Sequence, residues 1–388
     1  QTGAEDMANT FQNTTLVARD AAIEFHGSLV AAGMIPDRIE QKFAQRVGET
    51  VTVKKRPIMT ANRHDGSGPF TTSDISEQSV DVSIAHRAYV KHKLTAQEMT
   101  FNVDDFTLQV VRPAMIALAQ DVDLYLIHNI LVPGFARNVA GTEGNSPSTL
   151  AHLAAAWKTM FESELAPAGS SGILNSTAAA NFLQLQQFIN RDYGEEKPRA
   201  LRYAMFSQIY EMNLYASNQA ATQDRGYVTG TVLTDGTPTL ASSTLHVDGF
   251  TAATGTTKKG CRFTVAGDTT VYTLTADATI SGNECDFSIT PTVSADLVTA
   301  GDGAALTFKA ACQENVIFHP DAVARALIAP VPQTGNPSSV GEFEGISLRV
   351  TRESTINNDD TGDGEYILFD VFVGGNVIVP EGGCLLQG

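Results

Sequence analysis

A chain of 388 residues is long enough for two or three domain-sized units, and 43% hydrophobic against 18% charged residues excludes a disordered chain. The formal net charge of −17 argues against a surface built to grip nucleic acid broadly. Four widely spaced cysteines, Cys261, Cys285, Cys312 and Cys384, fit neither a zinc site nor a dense disulfide framework, so free thiols are expected.

No apolar run reaches the roughly 18 residues of a spanning helix, and the polar stretch Gln1 to Thr15 has no signal core, so neither a membrane partner nor export is expected. Leu16 to Met34 reads as a helix stopped by Gly33 ahead of Pro36, followed by a short helix from Asp37 to Arg46. Between Thr50 and Thr100 the period changes to two. Val51 and Val53 alternate with polar residues, and Val80, Val82 and Ile84 do so again, with Ala88, Val90 and Leu94 on the same parity. The turn formers of Arg63 to Pro69 lie between these strands, which predicts a long two-stranded arm. Such a ribbon is marginal alone in water and needs a surface to lie on.

Asn102 is placed to cap a long helix, with Asp104 and Asp105 in its first turn. Leu108, Val111, Met115, Leu118, Val122 and Tyr125 form its apolar stripe. Pro113 predicts a kink and Pro133-Gly134 an end, for a rod of roughly 45 Å. Compact α/β signals follow: a helix capped by Ser148, a strand Gly172 to Asn175, a helix capped by Ser176, and a mixed segment ending at Leu214 to Asn218. From about Thr222 to Lys309 the chain turns rich in Thr, Gly, Ala and Asp with short alternating runs, which reads as a separate all-β barrel or sandwich. Afterwards Asp321 to Ile328 reads as helix, and Ile346 to Val350 and Glu365 to Val373 as strands.

Four segments in this order resemble the coat proteins of phages similar to the Salmonella phage P22. They are Arg46 to Pro57 (RVGETVTVKKRP), Val111 to Ala119 with Asp121 to Asp123, Asn315 to Ala322 (NVIFHPDA), and Glu365 to Pro380 around Phe369 to Gly374 (FDVFVG). The resemblance implies an α+β, HK97-like capsid fold with an inserted all-β domain. It assigns residues 1–49 to an N-terminal arm, 50–101 to an extended β-hairpin loop, and 102–147 to a spine helix and peripheral domain completed by 345–388. An axial domain of 148–221 is completed by 311–344, and 222–310 form the inserted β-barrel-like domain. It further implies a major capsid protein of a tailed bacteriophage, assembling in the host cytoplasm into hexamers and pentamers of an icosahedral virion shell. The implied partners are other copies of the chain, a scaffolding protein and a portal. Double-stranded DNA would be enclosed without sequence-specific binding, which suits an acidic container.

Lys54, Lys55 and Arg56, with Arg87, Lys91, His92 and Lys93, make a basic cluster on the arm of an acidic chain. Either they keep a solvated ribbon soluble, or they dock on an acidic surface of an adjacent subunit; contact with DNA is a third reading. Asp359 to Gly364, with Asp370 at the twelfth position, partly mimics a calcium loop, but a strand follows where a helix should, so a hairpin loop is expected. The zinc-protease, Walker, nucleophile-elbow and dinucleotide motifs are absent, so no catalytic residue, cofactor or metal is expected and the chain reads as no enzyme. His319 before Pro320 reads as structural, and nothing places a Lys–Asn crosslink. Two rival readings stand: an encapsulin-like nanocompartment shell of the same fold, and a hydrolase with a β-rich binding domain.

Overall fold

The computed structural model describes residues 14–36, 50–55, 79–95, 106–162, 168–185, 209–220, 222, 224–311, 313–332, 337–355 and 364–388. The expected helix from Asp37 to Arg46, the cap Asn102 with Asp104 and Asp105, and the tip from Arg63 to Pro69 lie outside these residues. Two compact units emerge, one of 1–125 with 324–375 and one of 126–323 with 376–388.

The first unit opens with α1 (Thr14–Ser28) and a single turn, α2 (Ala31–Met34). The expected continuous helix is corrected: it breaks at Leu29 and Val30, and Gly33 lies inside the second turn. The cause is distant in sequence. The buried Asp123 carboxylate accepts hydrogen bonds from the amides of Val30 (2.7 Å) and Ala32 (3.1 Å), satisfying a new helical start. Burial raises the Asp123 pKa, and those amides, with Arg325, draw it part of the way back. On α1, Val17, Ala18, Ala21, Ala22 and Phe25 form a buried stripe made mostly of alanine. That lets a later strand lie directly on the helix. A Cβ at Gly341 would stand 1.9 Å from the Ala18 carbonyl oxygen, so only glycine fits.

β1 (Thr50–Lys54) pairs antiparallel with the start of β2 (Ser79–Thr95), Val51 opposite Val82 and Val53 opposite Val80. The parity read from the sequence holds along β2: from Ser79 to Lys93 the odd residues are exposed, while Val82 and Ala88 are buried.

The helix α3 runs from Thr107 to Phe135. It contains two wide π-type turns, Thr107–Val111 and Leu126–Leu131, each just ahead of a proline, Pro113 and Pro133. A proline lacks the N–H for its helical bond, and its ring collides with the carbonyl four residues back; a widened turn moves that carbonyl aside. The helix ends at Phe135, one residue past the expected stop at Pro133-Gly134. By length and composition α3 is apolar enough to cross a membrane, although Arg112, Asp121 and Asp123 interrupt its apolar run. More than half of its most apolar window is buried within the protein, as a core helix requires.

The second unit continues with β3 (Val139–Ala140), α4 (Leu150–Phe161), β4 (Ser171–Leu174), α5 (Ser176–Leu183) and β5 (Asn213–Ala216). The caps differ by one residue from those expected. Thr149 rather than Ser148 precedes α4, and the Asn175 side chain rather than Ser176 accepts from the Ala178 amide at 2.8 Å.

Eight strands follow: β6 (Gly230–Thr234), β7 (Thr244–Phe250), β8 (Thr254–Thr257), β9 (Arg262–Val265), β10 (Tyr272–Leu274), β11 (Ala278–Ser281), β12 (Cys285–Thr290) and β13 (Leu306–Phe308). Six form one sheet in the order β13-β9-β10-β12-β7-β6, while β8 and β11 pair separately. A bridge between Leu233 of β6 and Ala305, next to β13, joins the two edges, so the sheet closes on itself. Its core is aromatic, with Phe263, Tyr272 and Phe287 fully buried. One helix interrupts the β pattern, α6 (Ala295–Ala300), where the Ser294 hydroxyl accepts from the Leu297 amide at 3.0 Å. An antiparallel bridge between Thr222 and Gln313 sets the chain's entry and exit side by side.

Beyond the barrel, β14 (Val316–Phe318) leads into a 3₁₀ turn, Pro320–Ala322, and then β15 (Val323–Ile328). The expected helix from Asp321 to Ile328 is corrected to this strand. Pro320 does begin a turn, and His319 Nδ1 accepts from the Asp321 amide at 3.1 Å, but pairing with a later strand then takes the segment. β16 (Ser338–Phe343), β17 (Ile346–Thr355), β18 (Gly364–Val377) and β19 (Gly383–Leu386) complete the chain. The first unit's sheet runs β1-β2-β18-β17-β16, with β15 also on β18. The second unit has a sheet β3-β19-β14-β4-β5. Strand β16 lies in the sheet of the hairpin arm, and β19 lies between β3 and β14.

Within the first sheet, Asp370 of β18 lies opposite Arg349 of β17, and both are buried. Arg349 donates from Nε to Oδ1 (2.9 Å) and from a terminal nitrogen to Oδ2 (2.6 Å), and its other terminal nitrogen reaches the Val331 carbonyl (2.7 Å). Arg87 of β2 donates to the same Oδ2 from Nε at 3.1 Å and from a terminal nitrogen. Removing a buried partner leaves a charge unpaired, so Asp370→Ala is expected to lower stability by about 3–5 kcal/mol in urea denaturation. Asp370→Leu combined with Arg349→Met should lose less, because neither buried charge remains.

Candidate subunit interface and charged clusters

The alternation of β2 decides which side chains reach solvent. Its even residues lie on the side of α3, so Arg87, Tyr89, Lys91 and Lys93 project together from the opposite face. Their register partners on β18 are Phe372, Asp370, Leu368 and Tyr366. Lys91 Nζ stands 4.6 Å from the Tyr366 ring centre and 3.9 Å from a Glu353 oxygen, and Lys93 Nζ lies 5.8 Å from the same ring. Arg87 stacks over Phe372 at 5.7 Å while holding Asp370. The result is a basic, aromatic face on which Tyr89 is 65% exposed.

Not all the candidate residues of the arm meet there. Lys54 pairs in register with Ser79, eight residues before Arg87, which places Lys54 and Lys55 about 27 Å along the strand from Arg87. Arg56 lies outside the described residues. Arg87 has a structural duty as well, since it helps neutralise a buried carboxylate. Tyr89, Tyr366, Leu368 and Phe372 were not singled out from sequence, although Tyr89 stands on the same outward parity as the cations. Asp370, the twelfth position of the calcium-like pattern, lies within a strand and is held by two arginines; Asp359 to Asp363 fall outside the described residues.

The described cysteines are buried, and burial pushes the Cys285 and Cys384 thiols up to about 12, the opposite of an activated nucleophile. Cys312 lies outside the described residues. His128 Nδ1 lies 2.7 Å from the buried Glu314.

A second cluster, unread in the sequence, lies on the barrel. His246 of β7 is the register partner of Asp286 on β12, and its Nδ1 is 2.6 Å from Asp286 Oδ1. Its Nε2 is 3.0 Å from Asp235 Oδ2 and 3.6 Å from Glu284 Oε2. The hydrogen bond to Asp286 raises the imidazole pKa, with the three negative charges adding to it against a small cost of burial. Only strand pairing gathers residues spread from 235 to 286, so no motif announces them.

Asp268 anchors the barrel from within. It accepts from the Tyr272 hydroxyl (2.6 Å), the Ser294 hydroxyl (2.5 Å) and the Thr270 amide (2.7 Å). Burial works against its charge, but the bonds from Ser294, Tyr272 and Thr270 outweigh it and hold the carboxyl below its usual 3.8. A depressed folded pKa stabilises above the unfolded value, and that stability fades as pH falls through the folded one. Asp268→Asn is therefore expected to cost about 1–3 kcal/mol at neutral pH, with the gap to the parent narrowing below 3.8 in a pH series of thermal unfolding.

No protein-family model matches this sequence, and no curated protein matches it. Among solved structures, a chain of Mycobacterium phage Che8 is similar at 14% identity and a TM-score of 0.48, covering 92% of this chain and 90% of that one. The capsid of the cyanophage P-SCSP1u is similar at 12% identity and a TM-score of 0.45, with 100% and 92% covered. A virus-like particle from Pyrococcus furiosus is similar at 10% identity and a TM-score of 0.40, with 96% and 98% covered. These likenesses are distant.

Proposed function

We propose that this chain is a shell-forming capsid subunit whose copies hold one another through the β1–β2 ribbon and the exposed face of β2 and β18. One observation carries the reading. No residue of β1 is buried, so β1 adds edge hydrogen bonds to the sheet but no core of its own. An exposed edge strand of this kind is ordinarily a liability and becomes an asset when a neighbouring copy covers it.

Charge supports the same contact. A net charge of −17 gives every copy acidic surface, against which Lys54, Lys55, Lys91 and Lys93 are complementary. The closed barrel, with its own core and adjacent entry and exit, reads as a domain inserted between residues 222 and 310. The reading extends to hexamers and pentamers around phage double-stranded DNA, with a scaffolding protein and a portal as partners, and it assigns no catalytic step. Closed rings of this kind need heterologous contacts, which a protruding ribbon supplies.

Electron microscopy of the purified full chain is expected to show closed particles; a monodisperse monomer at high concentration would overturn the proposal. Particles that carry protein cargo and no DNA when isolated from their host would mark a nanocompartment instead. Reversal of Lys54, Lys55 and Arg56 to Glu is expected to abolish normal particles while shifting subunit stability by no more than about 0.5 kcal/mol per site. Normal particles from that variant would remove these residues from the interface. Deleting residues 224–308 should lower subunit stability or change shell size, read by calorimetry and microscopy.

A further inference from the structure

We infer that the outer face of the barrel carries a divalent-cation site formed by His246, Asp235 and Glu284, with Asp286 orienting the imidazole, and that its ligand is a transition-metal dication of the Zn²⁺ class. Three adjacent strands build it. His246 sits on β7 opposite Asp286 of β12, Glu284 immediately precedes β12, and the Asp235 amide donates to the His246 carbonyl at 3.0 Å just past the end of β6. The ligand atoms of His246, Asp235 and Glu284 lie within 4.8 Å of one another.

The imidazole is already arranged as a ligand. Its Nδ1 faces Asp286 at 2.6 Å and its Nε2 points between two carboxylates, where a bound dication would replace the Nε2 proton and leave the other proton on Nδ1. A carboxylate on the far nitrogen is the usual support of a metal-bound histidine, because it sets the tautomer and raises the basicity of the ligating nitrogen. Charge points the same way. Among the described residues no Lys or Arg forms an ion pair with any of these three acids. Three carboxylates with one imidazolium would leave a local charge of −2, whereas a dication between Asp235 and Glu284 cancels both, and Asp286 keeps the Nδ1 proton.

Donor chemistry selects the ion. One nitrogen and two carboxylates suit Zn²⁺, while Ca²⁺ and Mg²⁺ require a fuller oxygen shell. His246 is 40% exposed at its side chain, so an ion can enter from solvent and complete its shell with water. The bound ion would clip β6, β7 and β12 together on the outside of the barrel.

The test is calorimetric titration of chelator-treated full-length chain with Zn²⁺, followed by thermal unfolding with and without the ion. One equivalent should bind per chain and raise the unfolding temperature. His246→Gln and Glu284→Gln should abolish that binding, and Asp286→Asn should weaken it about 10–100-fold. The exposed Glu284 variant serves where the histidine variant does not fold. Co²⁺ should give visible d–d absorption that Zn²⁺ removes and Mg²⁺ does not. No stoichiometric binding, or binding unchanged in both glutamine variants, would overturn the site and leave the cluster as a proton-holding group only.

Discussion

The first unit depends on one buried carboxylate. Asp370 sits in the middle of β18 with Arg349 across one strand junction and Arg87 across the other, so three central strands share a single charge centre. Such a centre adds little net stability compared with well-packed apolar residues, since burying charge is costly. Its effect is on register. A slip of β2 by one residue would turn Arg87 to the wrong face and leave Asp370 short of a donor, while exposing Ala88 and Val90.

The long helix follows a different constraint. Two prolines would ordinarily end or kink it, and both are accommodated by a widened turn on their N-terminal side. Asp123 on the same helix supplies the acceptor that starts α2, so a helix break near the N-terminus is dictated from nearly a hundred residues away. Backbone hydrogen bonds that cannot be met locally are met by whichever side chain the fold brings near.

The barrel closes by its own edge bridge and packs its own aromatic core, which is what a unit added between two neighbouring backbone points requires. Its exterior then becomes available for chemistry that the rest of the chain does not need. Cross-strand partners on one face stand only about 5 Å apart, which is how His246 and its three acids meet.

Much of this was legible in the residues alone. Alternation at Val80, Val82, Ala88 and Val90 gave β2 and its outward parity, because this signal is local and repeats with a fixed period. The six arm cations were readable as charges on a ribbon, but not their separation, since Lys54 and Arg87 are linked only through the pairing of β1 with β2. Local signals misled at Asp321 to Ile328, which read as helix, because pairing with β18 takes the segment as a strand. Asp370 between its arginines and His246 among its acids belong wholly to the tertiary structure. Strand register sets which distant side chains share a face, and a single chain read without its pairings carries no measure of that distance.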